Sequence, residues 1–505
     1  MEFPFFSARV VHGKICVTGI ERASFGSKII NSETDSGIFG EWKWDPRSHE
    51  LHARIDPFGL FSLFYYCADD VCMLSPSPVK LIAEGANPGL DQRALAVFYM
   101  IGWFIENDTP FRHIKVLPPN GQLTWRPGNL AINGAEKVWP EKNISRPKAI
   151  EEYIDHFRSA VKVCCEAADG KIVQPLSGGR DSRHILLEMI RIGRTPDHCV
   201  TMDKSNSGLD PDAECAKQIA RAVDVQQVIL ERPSSPFRDQ FRVLLLTHLC
   251  SDESAHFLPL ARYLEGQDCA ALDGLGGDVL SRNRGFTNQE LHDLLRAGNW
   301  QAAIDNVVAG MDRITGTTVH ERIGPQPGIT RCLAEARDFL AASLNKYEGA
   351  ADPYTQFLFW TRTRREIALI PASILGNVKF VYCPYLDPGL VEFAASLPFD
   401  ATKDGKFHDA VIEREFPEYS NVPFHDALDA NWGRPSIGRK LRELIEGVGA
   451  AAAIGTGALM VEPFNQVRML VDRKHKSLNP FRSHRKSLAA LGSPASTKRY
   501  MRAFK

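Results

Sequence analysis

Short runs of alternating apolar and polar residues fill the first part of the chain, at 8–17, 36–44, 51–55, 60–67 and 71–75, punctuated by Gly and Pro. A period of two over so few residues predicts strands, and their close spacing predicts a layered domain rich in antiparallel sheet. Two helices interrupt it at 78–84 and 91–101, the second opening on Asp91, a good capping residue. Arg146-Pro147 then introduces a run of helical period at 149–167, which predicts the first helix of a second domain.

Beyond it the rhythm becomes strand and helix in turn. Strands are expected at 172–176, 198–202 and 226–230, helices at 182–192 and 211–223. A long helical stretch, 241–264, precedes another strand at 269–273, and helices dominate after about 285, including 354–370 and 389–397. Strand-helix alternation predicts a parallel, doubly wound sheet. The fold class is therefore α/β, with a layered α+β domain over 1–145 and a parallel-sheet domain with a helical C-terminal part over 146–505. Residues 447–459, mostly Ala and Gly, read as a small-residue helix contact or a flexible link.

At 505 residues the chain exceeds what one hydrophobic core usually supports, which agrees with two domains. Its 44% apolar and 24% charged residues are those of an ordinary globular protein. A net charge of -1 argues against global electrostatic attachment to nucleic acid or to a membrane. From Arg468 onward, however, Asp472 is the one acid among many Lys and Arg. A solvated tail or a docking surface for an anionic partner are the two readings of that run. The eleven cysteines show no C-x-x-C spacing, and no signal peptide or long apolar span occurs, so free thiols in a reducing cytoplasm are expected.

The candidate chemistry sits at two glycine turns. Leu176-Ser177-Gly178-Gly179-Arg180-Asp181-Ser182 follows a strand and opens a helix. Such a turn offers backbone N–H groups, hydroxyls and a helix N-terminus to an anion, and glycine lets the backbone come close. It lacks the G-K-[ST] ending of the Walker loop. Leu272-Asp273-Gly274-Leu275-Gly276-Gly277-Asp278 is a second strand-to-turn segment with an acid at its far end. Two turns at the carboxyl edge of one sheet can enclose a nucleotide between them.

S-G-G-x-D-S after a strand resembles the pyrophosphate loop of the N-type ATP pyrophosphatases. Both turns, in this order, are similar to those of the asparagine synthetase family, which includes beta-lactam synthetase, carbapenam synthetase and the lasso-peptide cyclases. Asp56-Pro57-Phe58-Gly59-Leu60, Leu117-Pro118-Pro119-Asn120-Gly121, Tyr385-Leu386-Asp387 and Gly405-Lys406 resemble further family segments, so the likeness extends from about 36 to 415. It implies an N-terminal domain like the Ntn hydrolases and an ATP-pyrophosphatase domain after it. It also implies ATP held by Ser177, Gly178, Gly179, Asp181, Ser182, Gly274, Gly276 and Gly277, with Val200 and Met202 beside adenine, Glu214 near the nucleotide and Mg2+ on Asp181 and Asp278.

Three departures narrow that implication. Glu2 stands where glutamine-hydrolysing members carry a nucleophilic cysteine, so the N-terminal domain is expected to lack glutaminase chemistry. Leu275 occupies the position of the asparagine synthetases' Glu and cannot relay a proton. The segment aligned with the family's catalytic lysine, 421–427, contains none. Arg180, Lys406 or Arg434 could supply the missing positive charge, with Arg180 the favoured candidate. Arg183 and His184 follow the loop closely, His184 as a structural or a proton-relaying side chain.

The resulting expectation is an AMP-forming ligase that adenylates a carboxylate and joins it to an amine, in specialised biosynthesis such as lactam or macrolactam formation. Its partners would be a small-molecule or peptide substrate carrying both groups and, optionally, a substrate-delivering protein. A binding protein that has lost ligase turnover is the second reading, and a tRNA-modifying ATP pyrophosphatase the third. The third is disfavoured because neither a reactive cysteine pair nor an RNA domain is evident.

Overall fold

The computed structural model describes residues 3–30, 35–68, 70–203, 210–231, 236–251, 254–282, 288–324, 328–427 and 480–503. Strands β1 (Phe6–Val11), β2 (Lys14–Gly19), β3 (Arg22–Ile29), β4 (Ser36–Asp45), β5 (Glu50–Ile55), β6 (Phe64–Ala68), β7 (Val71–Ser75), β8 (Lys115–Val116), β9 (Gln122–Arg126) and β10 (Asn129–Asn133) come first. They form two antiparallel five-stranded sheets, ordered β2-β1-β7-β6-β8 and β10-β9-β5-β4-β3. Alternation sets their faces: along β5, Leu51, Ala53 and Ile55 are buried while His52 and Arg54 are exposed. Trp42, Leu51, Phe64, Leu74 and Trp125 of these sheets share one apolar cluster with Val79 and Phe98 of helices α1 (Pro78–Ala83) and α2 (Gln92–Ile101). Asp91 caps α2 by accepting from the Ala94 N–H at 3.0 Å.

Helix α3 (Arg146–Ala167) leads into a five-stranded parallel sheet of β11 (Lys171–Pro175), β12 (His198–Met202), β13 (Gln227–Leu230), β14 (Cys269–Leu272) and β15 (Phe380–Tyr382). Its order is β13-β12-β11-β14-β15, so the winding reverses between β11 and β14. Helices α4 (Arg180–Arg191) and α5 (Pro211–Ala222) cover Cys199 on one face. Val173, Val200 and Ala271 point the other way, against α6 (Pro236–Leu246) and α7 (Leu258–Leu264). Among the described residues the architecture is mixed α/β with one parallel and two antiparallel sheets.

Several helix expectations need correction. The single helix read over 241–264 is broken after α6, because His248 and Leu249 take positive φ values of 58° and 64°. The buried His248 ring packs edge-on against Phe3 and Phe64, at 5.9 and 5.1 Å between centroids, a tertiary contact that outweighs local helical preference. The helix read over 354–370 is α-helical only at Pro353–Leu358 and continues as a π-helix, Phe359–Ile367. That π-helix aims Arg364 at the Gly59, Glu106 and Leu117 carbonyls and Arg365 at those of Glu106 and Asp108. It thereby ties the antiparallel part to the parallel-sheet part. Where the structure describes the basic tail, Pro480–Ala490 and Pro494–Ala503 are helices packed on one side, with His484, Leu488 and Tyr500 buried and Lys498, Arg499 and Arg502 exposed. Glu2, 447–459, Arg434 and 468–479 lie outside the described residues.

All eleven cysteines are free thiols, most of them buried. Among the described residues no helix is long and apolar enough to cross a membrane.

Candidate functional site

Open parallel sheets bind ligands outside the carboxyl ends of their strands where the winding reverses. Both glycine turns lie at that point here. The first runs from the end of β11 into α4, whose N-cap residue Gly179 has no side chain to cap the helix mouth. Within the turn, Ser177 N–H donates to Ser182 Oγ at 2.9 Å, and Gly179 N–H donates to Ser177 Oγ at 3.2 Å. Gly178 N–H donates to Asp212 Oδ1, on the first turn of α5, at 2.9 Å. Gly178 is held so close to α5 that a Cβ there would meet the Asp212 carbonyl oxygen at 2.7 Å and Cys215 Cβ at 2.8 Å. The amides an anion would use are thus already ordered, and the ligand would exchange with hydroxyl and carboxylate oxygens.

The second turn runs from β14 into the short helix α8 (Gly277–Leu280). Asp181 is wedged against it: a Cβ on Gly277 would lie 2.6 Å from both Asp181 Cγ and Oδ1, and one on Gly274 would lie 2.9 Å from Asp181 Cβ. Gly276 takes a φ of 90° with Leu386 packed over it. Asp181 Oδ1 is buried and forms no well-directed hydrogen bond, while His408 Nδ1 stands 3.3 Å from it. Burial first, and then the Asp181 charge, push the Asp278 acid up to about 6; Arg362 acts the other way. Burial likewise pushes Asp273 up to about 6, against the lowering effect of the Leu275 N–H it accepts at 2.9 Å.

Crowded carboxylates with an unsatisfied oxygen fit a divalent cation, which would relieve both repulsion and desolvation. No cluster of three or more His, Cys, Asp or Glu suited to a metal occurs among the described residues. Two carboxylates completed by substrate oxygens is the ordinary arrangement for magnesium beside phosphates, and Asp181 and Asp278 fit it.

Segment 421–427 closes over the first turn. His425 N–H donates to the Gly178 carbonyl at 3.1 Å. Arg183 donates to the Val422 and Pro423 carbonyls at 2.7 and 2.6 Å and lies over the Phe424 ring at 4.1 Å. Burial lowers its guanidinium to about 10. Arg180 pairs with Asp409 through its Nε and Nη2 and, through the same Nη2, with Asp426 at 3.2 Å, its face on Phe424. Its charge is therefore balanced at the rim.

No family model matches the chain. Over 152 residues it is 26% identical to asparagine synthetase (glutamine-hydrolyzing) 1 of Bacillus subtilis (strain 168). The chain is similar, in part, to an asparagine synthetase. The match covers 30% of this chain and 24% of that protein, about a quarter of the relative's length.

Ser177, Gly178, Gly179, Arg180, Asp181, Ser182, Gly274, Gly276, Gly277 and Asp278 are all brought to the junction of the two turns. Val200 is a core residue 1% exposed, touching the first turn through its carbonyl, which accepts from Leu176 N–H at 2.8 Å. Met202 ends β12, half-buried against the same core. Lys406 is exposed at the start of the Phe407–Glu415 helix, and the side chains of that helix that reach the loop are His408 and Asp409. Leu275 is buried. On α5 the residue that contacts the loop is Asp212, two positions before Glu214. Asp212, Asp273, His408 and Arg362 went unnoticed in the sequence. Only Asp273, the first residue of the second turn, carried a local signal.

Proposed function

We propose that this protein is an ATP-dependent, amide-forming ligase that adenylates a substrate carboxylate, with pyrophosphate leaving, and passes the acyl group to an amine. The observation that carries it is Asp181 held between two glycine turns at the sheet's winding reversal, with Asp278 alongside. The partial likeness to an asparagine synthetase supports the same reading. Ser177, Ser182 and the α4 mouth would receive the β and γ phosphates, leaving the α phosphate open to attack by the carboxylate oxygen. Magnesium, held by Asp181 and Asp278, would supply charge neutralisation for the departing pyrophosphate. Arg362, itself paired with Glu366 at 3.3 Å, acts on Asp278 through its charge. Because Leu275 cannot take up a proton, the amine is deprotonated elsewhere or arrives neutral. A substrate that carries both carboxylate and amine, closing a lactam or macrolactam, needs no separate nitrogen donor.

The test is product analysis with ATP, Mg2+ and carboxylate-amine candidates drawn from host extract. AMP and pyrophosphate are expected, together with carboxylate-dependent exchange of pyrophosphate into ATP. ADP and phosphate as products would overturn the reading. A nucleotide-binding protein without turnover is favoured by the buried Leu275 and by the engagement of Arg180 with Asp409 and Asp426. Nucleotide binding without any exchange would select it.

A further inference from the structure

Behind Asp181 lies a closed polar network that neither glycine turn contains. His408 Nε2 is 3.0 Å from His184 Nδ1 and 3.3 Å from the Tyr385 hydroxyl. His408 Nδ1 is 3.3 Å from both Asp181 Oδ1 and Ser281 Oγ. Tyr385 OH also donates to the Asp181 carbonyl at 3.2 Å, and Ser281 OH donates to the Gly277 carbonyl at 2.5 Å. His184, His408 and Ser281 are buried, and Phe157 stacks on His184 at 3.9 Å.

Proton placement follows from these partners. Ser281 spends its hydroxyl proton on Gly277, so toward His408 it can only accept. His184 Nε2 is buried with no partner, and burial holds the His184 ring in its uncharged form. Its single proton therefore belongs on Nδ1, where His408 Nε2 can accept it, since a buried N–H without an acceptor costs more than an idle lone pair. His408 is then left with its proton on Nδ1, donated to Ser281 Oγ. Asp181 Oδ1 faces the same N–H at 3.3 Å without a well-directed bond, close enough to gain from its dipole.

We infer that His408 is a positioning residue: its Nδ1–H, 3.3 Å from Asp181 Oδ1, holds that oxygen by charge–dipole attraction, so that the Asp181 carboxylate meets a nucleotide-bound divalent cation in one orientation. The inference rests on the proposed ATP site and deepens it. A carboxylate that can rotate offers either oxygen to a metal, whereas one anchored from behind offers one at a fixed angle. His184 fixes the His408 ring by donating to its Nε2, and Ser281 ties the same imidazole to the second turn through Gly277. One imidazole thereby couples both turns.

The experiment is an equilibrium titration of the full chain with α,β-methylene-ATP, with and without Mn2+. His408→Leu should weaken Mn2+-dependent nucleotide binding about 10–100-fold, the usual effect of losing a partner behind a metal ligand. Metal-free nucleotide binding should stay within about threefold. His408→Asn, whose side-chain amide offers a donor near the Nδ1 position, should recover most of the loss. Metal-dependent binding unchanged in folded His408→Leu, or an equal loss of metal-free binding, overturns the inference. Should that variant not fold, the wild type labelled with 15N-histidine decides: the His408 Nδ1–H signal shifts when Mg2+ and the analogue bind, and a stationary signal overturns the inference. Wild-type protein that binds no nucleotide with metal would overturn the proposed function itself.

Discussion

Gly277 shows how one hydrogen atom in place of a methyl can define a site. Its Cα faces the Asp181 carboxyl at a range no real Cβ tolerates. Gly277→Ala must therefore push Asp181 away from Asp278 or deform the turn. A strain of about 1–3 kcal/mol is expected in stability. The loss of carboxylate-dependent pyrophosphate exchange should be larger, more than about tenfold by the sensitivity of positioned groups to small displacements. Denaturant titration alongside the exchange assay separates the two effects, and normal exchange in Gly277→Ala would remove Asp181 from the site. At this scale the sequence was informative wherever the chemistry is local. Ser177, Asp181 and Ser182 lie within one turn and sit together as their spacing implies. Asp212 lies 34 residues from its partner Gly178, and His184 lies 224 from His408; no local pattern encodes such pairs.

The element that changes most between sequence and structure is segment 421–427. Judged as a loop without the expected lysine, it looked like a loss. Folded, it is a cover on the phosphate turn, fastened by Arg183 and by the His425 amide on Gly178. Arg183→Ala removes two charge-assisted hydrogen bonds and the support under Phe424, a cost on the order of 3 kcal/mol. Hydrogen exchange at Val422 to Asp426 should quicken in that variant while α5 remains protected. Uniform exchange across both would show that the cover is held by something other than Arg183. The π-helix Phe359–Ile367 was equally illegible, because its hydrophobic pattern is compatible with an α-helix until Arg364 and Arg365 find their acceptors in another part of the chain.

Over the whole molecule, buried ionisable groups set the pH response. Burial pushes His248 and His484 down to about 3; the Leu249 carbonyl opposes this for His484, and the Arg485 charge adds to it. An unfolded chain would protonate both near 6.5, so it binds protons that the folded chain refuses between about pH 6.5 and 3. Stability from these groups is full above that window and falls as pH drops through it. Asp56, Asp273 and Asp278, each raised to about 6, act oppositely between about 6 and 4, since the folded chain then binds protons first. A single variant isolates one contribution. His484→Gln keeps polar groups near Tyr99 OH and the Leu249 carbonyl, which His484 meets at 3.1 and 2.9 Å. Relative to wild type it should gain about 1.4 kcal/mol per pH unit as pH falls from 6 to 5. A pH-independent difference in denaturant titrations would place the His484 proton wrongly.

The sequence by itself determined the strand-helix rhythm, the two glycine turns and the acids at their ends. Each depends on backbone geometry and side-chain order over a few neighbouring residues, which short-range pattern encodes. Only the tertiary structure decided which strands flank the winding reversal, and therefore that the two turns meet. It also decided that Arg180 is paired with Asp409 and Asp426, that Lys406 is exposed, and that His408 stands behind Asp181. Burial and charge pairing are properties of the packed chain, fixed when distant segments exclude water from the same small volume.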